Sequence, residues 1–181
     1  MLAVTGTLSS PTVIHRSRVE MITGTGFRAR QPYHAAAQMD MKAAHKFIAA
    51  ALGSASRQAE DSIGALLEQV REQGMSVRTG GILLAAGRPL PALESVLRSH
   101  ALIHAAEGEL FRQALIQACN RCGTKLVGTR EREIMGLATK QLRLRAGEIG
   151  ERLNRMGARV GRPWRQDEKL ATLAAWLRLP A

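Results

Sequence analysis

Gly81-Ile82-Leu83-Leu84-Ala85-Ala86, closed by Gly87-Arg88-Pro89, is a short apolar run with turn residues at its end. Its length and flanks predict a strand covered on both faces. Thr124-Lys125-Leu126-Val127-Gly128-Thr129 is a second short strand, placed just after Gly123. Residues 91–121 between them form a helical region. A strand, a helix and a strand in that order predict parallel pairing of the two hexapeptides, because the crossover helix returns the chain in the same direction.

Toward the N-terminus, residues 34–73 turn to Ala, Leu, Gln, Glu and Lys, all good helix formers. Gly53-Ser54 splits or kinks this stretch, and Gly74 stops it. The first 30 residues read as a strand-rich hairpin: Ala3 to Leu8 and Thr12 to Ile22 carry the Val, Ile and Thr, with Ser9-Ser10-Pro11 as the turn. Toward the C-terminus, the chain is helical from Glu131, breaks near Leu144 to Gly147, and stops at Gly161-Arg162-Pro163. Residues 166–179 place Leu170, Leu173, Ala174 and Leu177 on one helical face. The expected architecture is α/β: N-terminal antiparallel strands followed by βαβα units, with a mixed sheet flanked by helices, all in one domain over residues 1–181.

Composition agrees with a packed core, at 45% hydrophobic residues, but aromatics make up only 3%, so aliphatic side chains must build it. No apolar run approaches the roughly 20 residues of a membrane span. The opening residues lack a signal-peptide pattern, and two cysteines fit a reducing compartment, so a cytoplasmic location is expected. The net charge of +11 is uneven. Residues 1–111 hold 11 basic and 9 acidic side chains, whereas residues 112–165 hold 13 and 4. Clustered Lys and Arg create a field that a polyanion can feel. The plainer alternative is a solvated arginine-rich surface.

The order of an antiparallel hairpin followed by βαβα units resembles the ribonuclease-H-like fold over most of the chain. That resemblance implies carboxylates on the first strand, the fourth strand and the last helix, holding two divalent metals against their mutual repulsion. Residues 2–8 and 81–87 contain no acid, and only Asp167 and Glu168 on the last helix match. The resemblance therefore implies a fold and argues against the usual nuclease site.

The candidate site lies in Ser99-His100-Ala101-Leu102-Ile103-His104-Ala105-Ala106-Glu107. On a helix capped by Ser99, His100, His104 and Glu107 share one face, with two imidazoles one turn apart. Such a pair can hold a divalent metal, with a carboxylate as further ligand or base. Residues i and i+7 lie about 10 Å apart, so a ligand from elsewhere is needed, and His34, His45 and Asp167 are the available contributors. Surface polar residues, or a histidine bonded to a backbone carbonyl, are the plainer alternatives. Cys119 and Cys122 form a lone CxxC at a helix C-terminus, where no dipole assists a thiolate, and read as ordinary thiols. Thr23-Gly24-Thr25-Gly26 is no phosphate loop.

In the basic half, Arg152, Arg155, Arg159 and Arg162 run beside an apolar stripe of Ile149, Leu153, Met156 and Val160. That row offers guanidinium groups to phosphates. Leu142-Arg143-Leu144 followed by Ile149 and Leu153 resembles a helix-turn-helix, although Arg143 stands where glycine is usual and Thr139 where alanine is usual. The leading expectation is nucleic-acid association through the arginine row, set against few aromatics for stacking. The second is a metal-dependent, hydrolase-like enzyme at His100, His104 and Glu107, near the carboxyl ends of the parallel strands with Glu131 or Glu133. The third is a homo-oligomer or partner-binding protein using the last helix and Trp176.

Overall fold

A computed structural model describes residues 1–22, 26–85 and 89–181. The elements run β1 (Leu2–Gly6), β2 (Pro11–Arg16), α1 (Phe27–Arg30), α2 (Pro32–Ala36), α3 (Met41–Glu72) and β3 (Gly80–Leu84). They continue with α4 (Leu93–Leu97), α5 (His100–Arg121), β4 (Leu126–Arg130), α6 (Glu131–Leu142), α7 (Ala146–Val160) and α8 (Gln166–Trp176). The chain divides into two compact units. One comprises Met1–Arg18, Arg78–Ala86 and Lys125–Ala181, and the other Val19–Val77 and Gly87–Thr124. No described helix is long and apolar enough to cross a membrane.

The first unit holds every described strand. β1 and β2 form an antiparallel hairpin, while β3 and β4 pair in parallel with Gly80 opposite Leu126 and Leu84 opposite Arg130. The α/β class and the parallel pairing of the two short runs are thus as expected, with strands over Gly80–Leu84 and Leu126–Arg130, but the sheet is not one mixed sheet. Among the described residues it is two separate pairs. Helix α8 packs against both β1 and β3. Gly81 permits this contact, because a Cβ there would fall 2.5 Å from the Ala174 carbonyl oxygen. All of β3 is only half-buried, so the expected burial on both faces does not occur.

The core of this unit joins Ile134 and Ala138 of α6, Ile149, Leu153 and Met156 of α7, and Leu170, Leu173 and Trp176 of α8. Trp176 is fully buried and its Nε1 donates to the Leu8 carbonyl at 2.9 Å. This corrects the expected interface role of the last helix: its indole is covered by the chain's own hairpin. β2 ends at Arg16, short of the expected Ile22. Arg16 reaches the carbonyls of Gly161, Arg162 and Pro163 and so ties the hairpin to the segment after α7. α6 ends on Arg143 in the left-handed region (φ 54°), the position where a turn glycine is usual. The Arg145 and Arg165 amides donate to Glu148 and Glu168 at 2.9 and 2.7 Å, which starts α7 and α8.

The second unit is helical. Asp40 caps α3 by accepting from the Ala43 amide at 2.9 Å, and α3 then runs unbroken through Gly53-Ser54 to Glu72. The expected split fails because the buried face Ala44, Ala55, Ser56, Ala59, Ile63, Leu66 and Val70 is held by packing. α5 lies alongside in the same direction, with Ser56 Oγ 2.9 Å from Gln117 Oε1 and Glu60 paired to Arg121. Small residues on both helices (Ala55 and Ala59, Ala114 and Ala118) let them approach closely. Thr23, Gly24 and Thr25, with Ala86, Gly87 and Arg88, lie outside the described residues.

Candidate functional site

Helix α5 starts at the predicted cap: Ser99 Oγ accepts from the Leu102 amide. Ile103, Ala106 and Leu110 turn inward, which leaves His100 and His104 on the exposed side, one turn apart. Their ring centroids are 4.4 Å apart at an interplanar angle of 88°. A third imidazole joins them from α2. His34 stands 5.5 Å from His100 and 4.9 Å from His104, centroid to centroid. One ligand atom from each of the three histidines can be chosen so that all lie within 4.8 Å of one another.

Tetrahedral zinc geometry, with Zn–N near 2.0–2.1 Å, places nitrogens about 3.4 Å apart and ring centroids about 5 Å apart. The centroid separations of 4.4–5.5 Å bracket that value.

Glu107 explains how His34 is held. Its Oε1 accepts from the backbone amides of Tyr33 at 2.9 Å and His34 at 3.2 Å, and lies 3.3 Å from His34 Nδ1. Helix α2 begins with Pro32, which has no amide proton, and its N-cap Gln31 makes no side-chain bond. A carboxylate from α5 therefore caps α2 in place of its own N-cap. With the Nδ1 tautomer assigned from this partner, the same oxygen accepts a hydrogen bond from the ring, which fixes its orientation. Glu107 Oε2 is buried and has no partner among the described residues. Burial raises the Tyr33 phenol above its ordinary value, and the charges of Glu107 and Glu109 raise it further.

Of the expected site residues, His100, His104 and Glu107 come together, and His34 is the outside contributor that joins them. His45 sits exposed on α3 and is not part of the cluster, and Asp167 belongs to the strand-bearing unit, as do Glu131 and Glu133. The site is built from α2 and α5 alone. Cys119 and Cys122 are free thiols at the end of α5. Burial, with a smaller contribution from Cys122, pushes Cys119 up to about 11. Cys122 is also raised, by burial and Glu60 against the opposing pull of Arg121.

In the strand-bearing unit, Arg152, Arg155 and Arg159 line one cleft with Ser9, Ser10 and Thr12 of the hairpin. Arg162 does not line it. Continuing the row to that position requires helix throughout, but α7 ends at Val160 and Gly161 turns the chain with φ 82°. No protein family, curated protein or solved structure matches this chain.

Proposed function

We propose that the helical unit binds one divalent transition metal, zinc fitting best, through His34, His100 and His104, and that this is the centre of a metal-dependent hydrolase. The observation that carries this reading is the convergence of three imidazoles from α2 and α5 within 4.8 Å. Three imidazoles leave a fourth position for water, the pattern of catalytic rather than structural zinc. Bound zinc supplies a water that ionises near neutral pH and polarises a carbonyl or phosphoryl oxygen. The exposure of His100 and His104 keeps that position within reach of solvent and substrate. Glu107 is a positioning residue: it fixes the orientation and tautomer of His34, the carboxylate–histidine arrangement common around metals.

Calorimetric titration with zinc tests this directly. One equivalent should bind the native chain. His34→Ala, His100→Ala and His104→Ala should each weaken it beyond the ~10–100-fold that loss of a second-shell partner costs. His45→Ala should leave the affinity unchanged. Zinc binding that survives the triple alanine variant, or its absence in the native chain, would overturn the proposal.

A further inference from the structure

We infer that the strand-bearing unit carries a second, independent site, a phosphodiester-backbone grip for duplex nucleic acid made by Arg155 and Arg159 of α7 together with the hydroxyls of the hairpin turn. The cleft they line has a volume of about 280 Å³. Ser9, Ser10 and Thr12 also line it, which places hydroxyl-bearing residues beside the guanidinium groups, although Ser9 Oγ already bonds Thr7 Oγ1 at 2.9 Å.

The arginines of this cleft divide by use. Arg152 donates to the Ser9 carbonyl at 3.1 Å and holds the turn against α7, so it builds the cleft. Arg155 and Arg159 are exposed and form no ion pair among the described residues, although Glu151 lies one helical turn before Arg155. Other exposed arginines divide in the same way: Arg71, Arg98, Arg121 and Arg145 pair with Glu68, Glu94, Glu60 and Glu148, whereas Arg57, Arg78 and Arg162 form no ion pair among the described residues, so it is the cleft that sets Arg155 and Arg159 apart. Unpaired guanidinium pairs beside hydroxyls are what phosphate oxygens bind.

The surrounding charge agrees. This unit holds 16 basic and 6 acidic side chains, against 10 and 9 in the helical unit. The occupant is a duplex rather than a single strand, because single-strand grooves rely on aromatic side chains for base stacking. None of the residues lining this cleft is aromatic. Contacts of this kind grip the backbone and carry little sequence information.

The test measures retention of the full chain on duplex DNA and duplex RNA across a salt series. The native chain should bind a duplex with a salt dependence that steepens by about 1 logarithmic unit per phosphate held. Arg155→Glu/Arg159→Glu should weaken binding at least ~10-fold, and Arg155→Gln/Arg159→Gln should lower the slope by about 2. Arg162→Glu should cost less than either. Far-ultraviolet dichroism and a denaturant unfolding curve of the strand-bearing unit report whether each variant is folded, and neither should change. Undiminished binding by the folded double variants would overturn the inference. So would failure of the native chain to bind any duplex at low salt, or capture of inorganic polyphosphate or single strands in preference to a duplex. Loss of zinc binding alone would leave this site standing.

Discussion

The strand-bearing unit is strongly cationic and packs large aliphatic side chains around Trp176, whereas the helical unit is nearly neutral and packs alanine faces of α3 and α5. Four of the five histidines, at positions 34, 45, 100 and 104, fall in the helical unit. On the proposed reading, the difference segregates two kinds of ligand chemistry by fold. In the helical unit, α5, packed against α3 through small side chains, brings its two imidazoles beside that of α2. The hairpin and α7 instead present long, flexible guanidinium groups, which suit a partner with repeating charge. A hard separation of this sort predicts that each unit can be damaged without silencing the other.

The largest expected effect is in the strand-bearing unit. Trp176→Ala removes a fully buried indole and its bond to Leu8, and should cost about 3–5 kcal/mol. Denaturant unfolding of that unit would measure it. A loss of zinc affinity in the same variant would break the separation. Next, Glu107→Gln removes the charge that holds His34, and should weaken zinc binding by about 10–100-fold while leaving nucleic-acid retention untouched. Arg143→Gly relieves a left-handed arginine and should stabilise the strand-bearing unit by about 1 kcal/mol, read as a raised unfolding midpoint.

The smallest effect is electrostatic. Glu148 is held below its ordinary value of 4.5 first by its bond from the Arg145 amide and then by the Arg145 side chain. Glu168 is likewise lowered, chiefly by the Arg165 amide. A carboxyl whose folded value is depressed stabilises the fold above its unfolded value and loses that contribution as pH falls through the folded one. The strand-bearing unit should therefore weaken as pH drops below about 4.5, and Glu148→Gln/Glu168→Gln should flatten that slope. A slope identical in the native and variant chains would contradict the cap assignments.

Local chemistry made much of this legible in advance. The two hexapeptides paired as strands because turn residues bound short apolar runs, and Ser99 capped α5 because its hydroxyl suits that position. The His100, His104 and Glu107 face followed from helical spacing alone. What stayed hidden depended on distant partners. Spacing could offer His34 but could not choose it over His45, because the choice is made by the Glu107 carboxylate capping α2. The amphipathic pattern of α8 showed an apolar face without showing that β1 and β3 cover it. Periodicity also ran the arginine row through Arg162, past the turn at Gly161 that ends the helix.

The visible absorption of the cobalt-loaded chain tests the central claim most directly, since cobalt substitutes for zinc and reports its coordination. The native chain should show the intense bands of a four-coordinate, nitrogen-ligated ion at one equivalent, lost in His34→Ala and kept in His45→Ala. A weak octahedral spectrum in the native chain, or bands indifferent to His34, would contradict it.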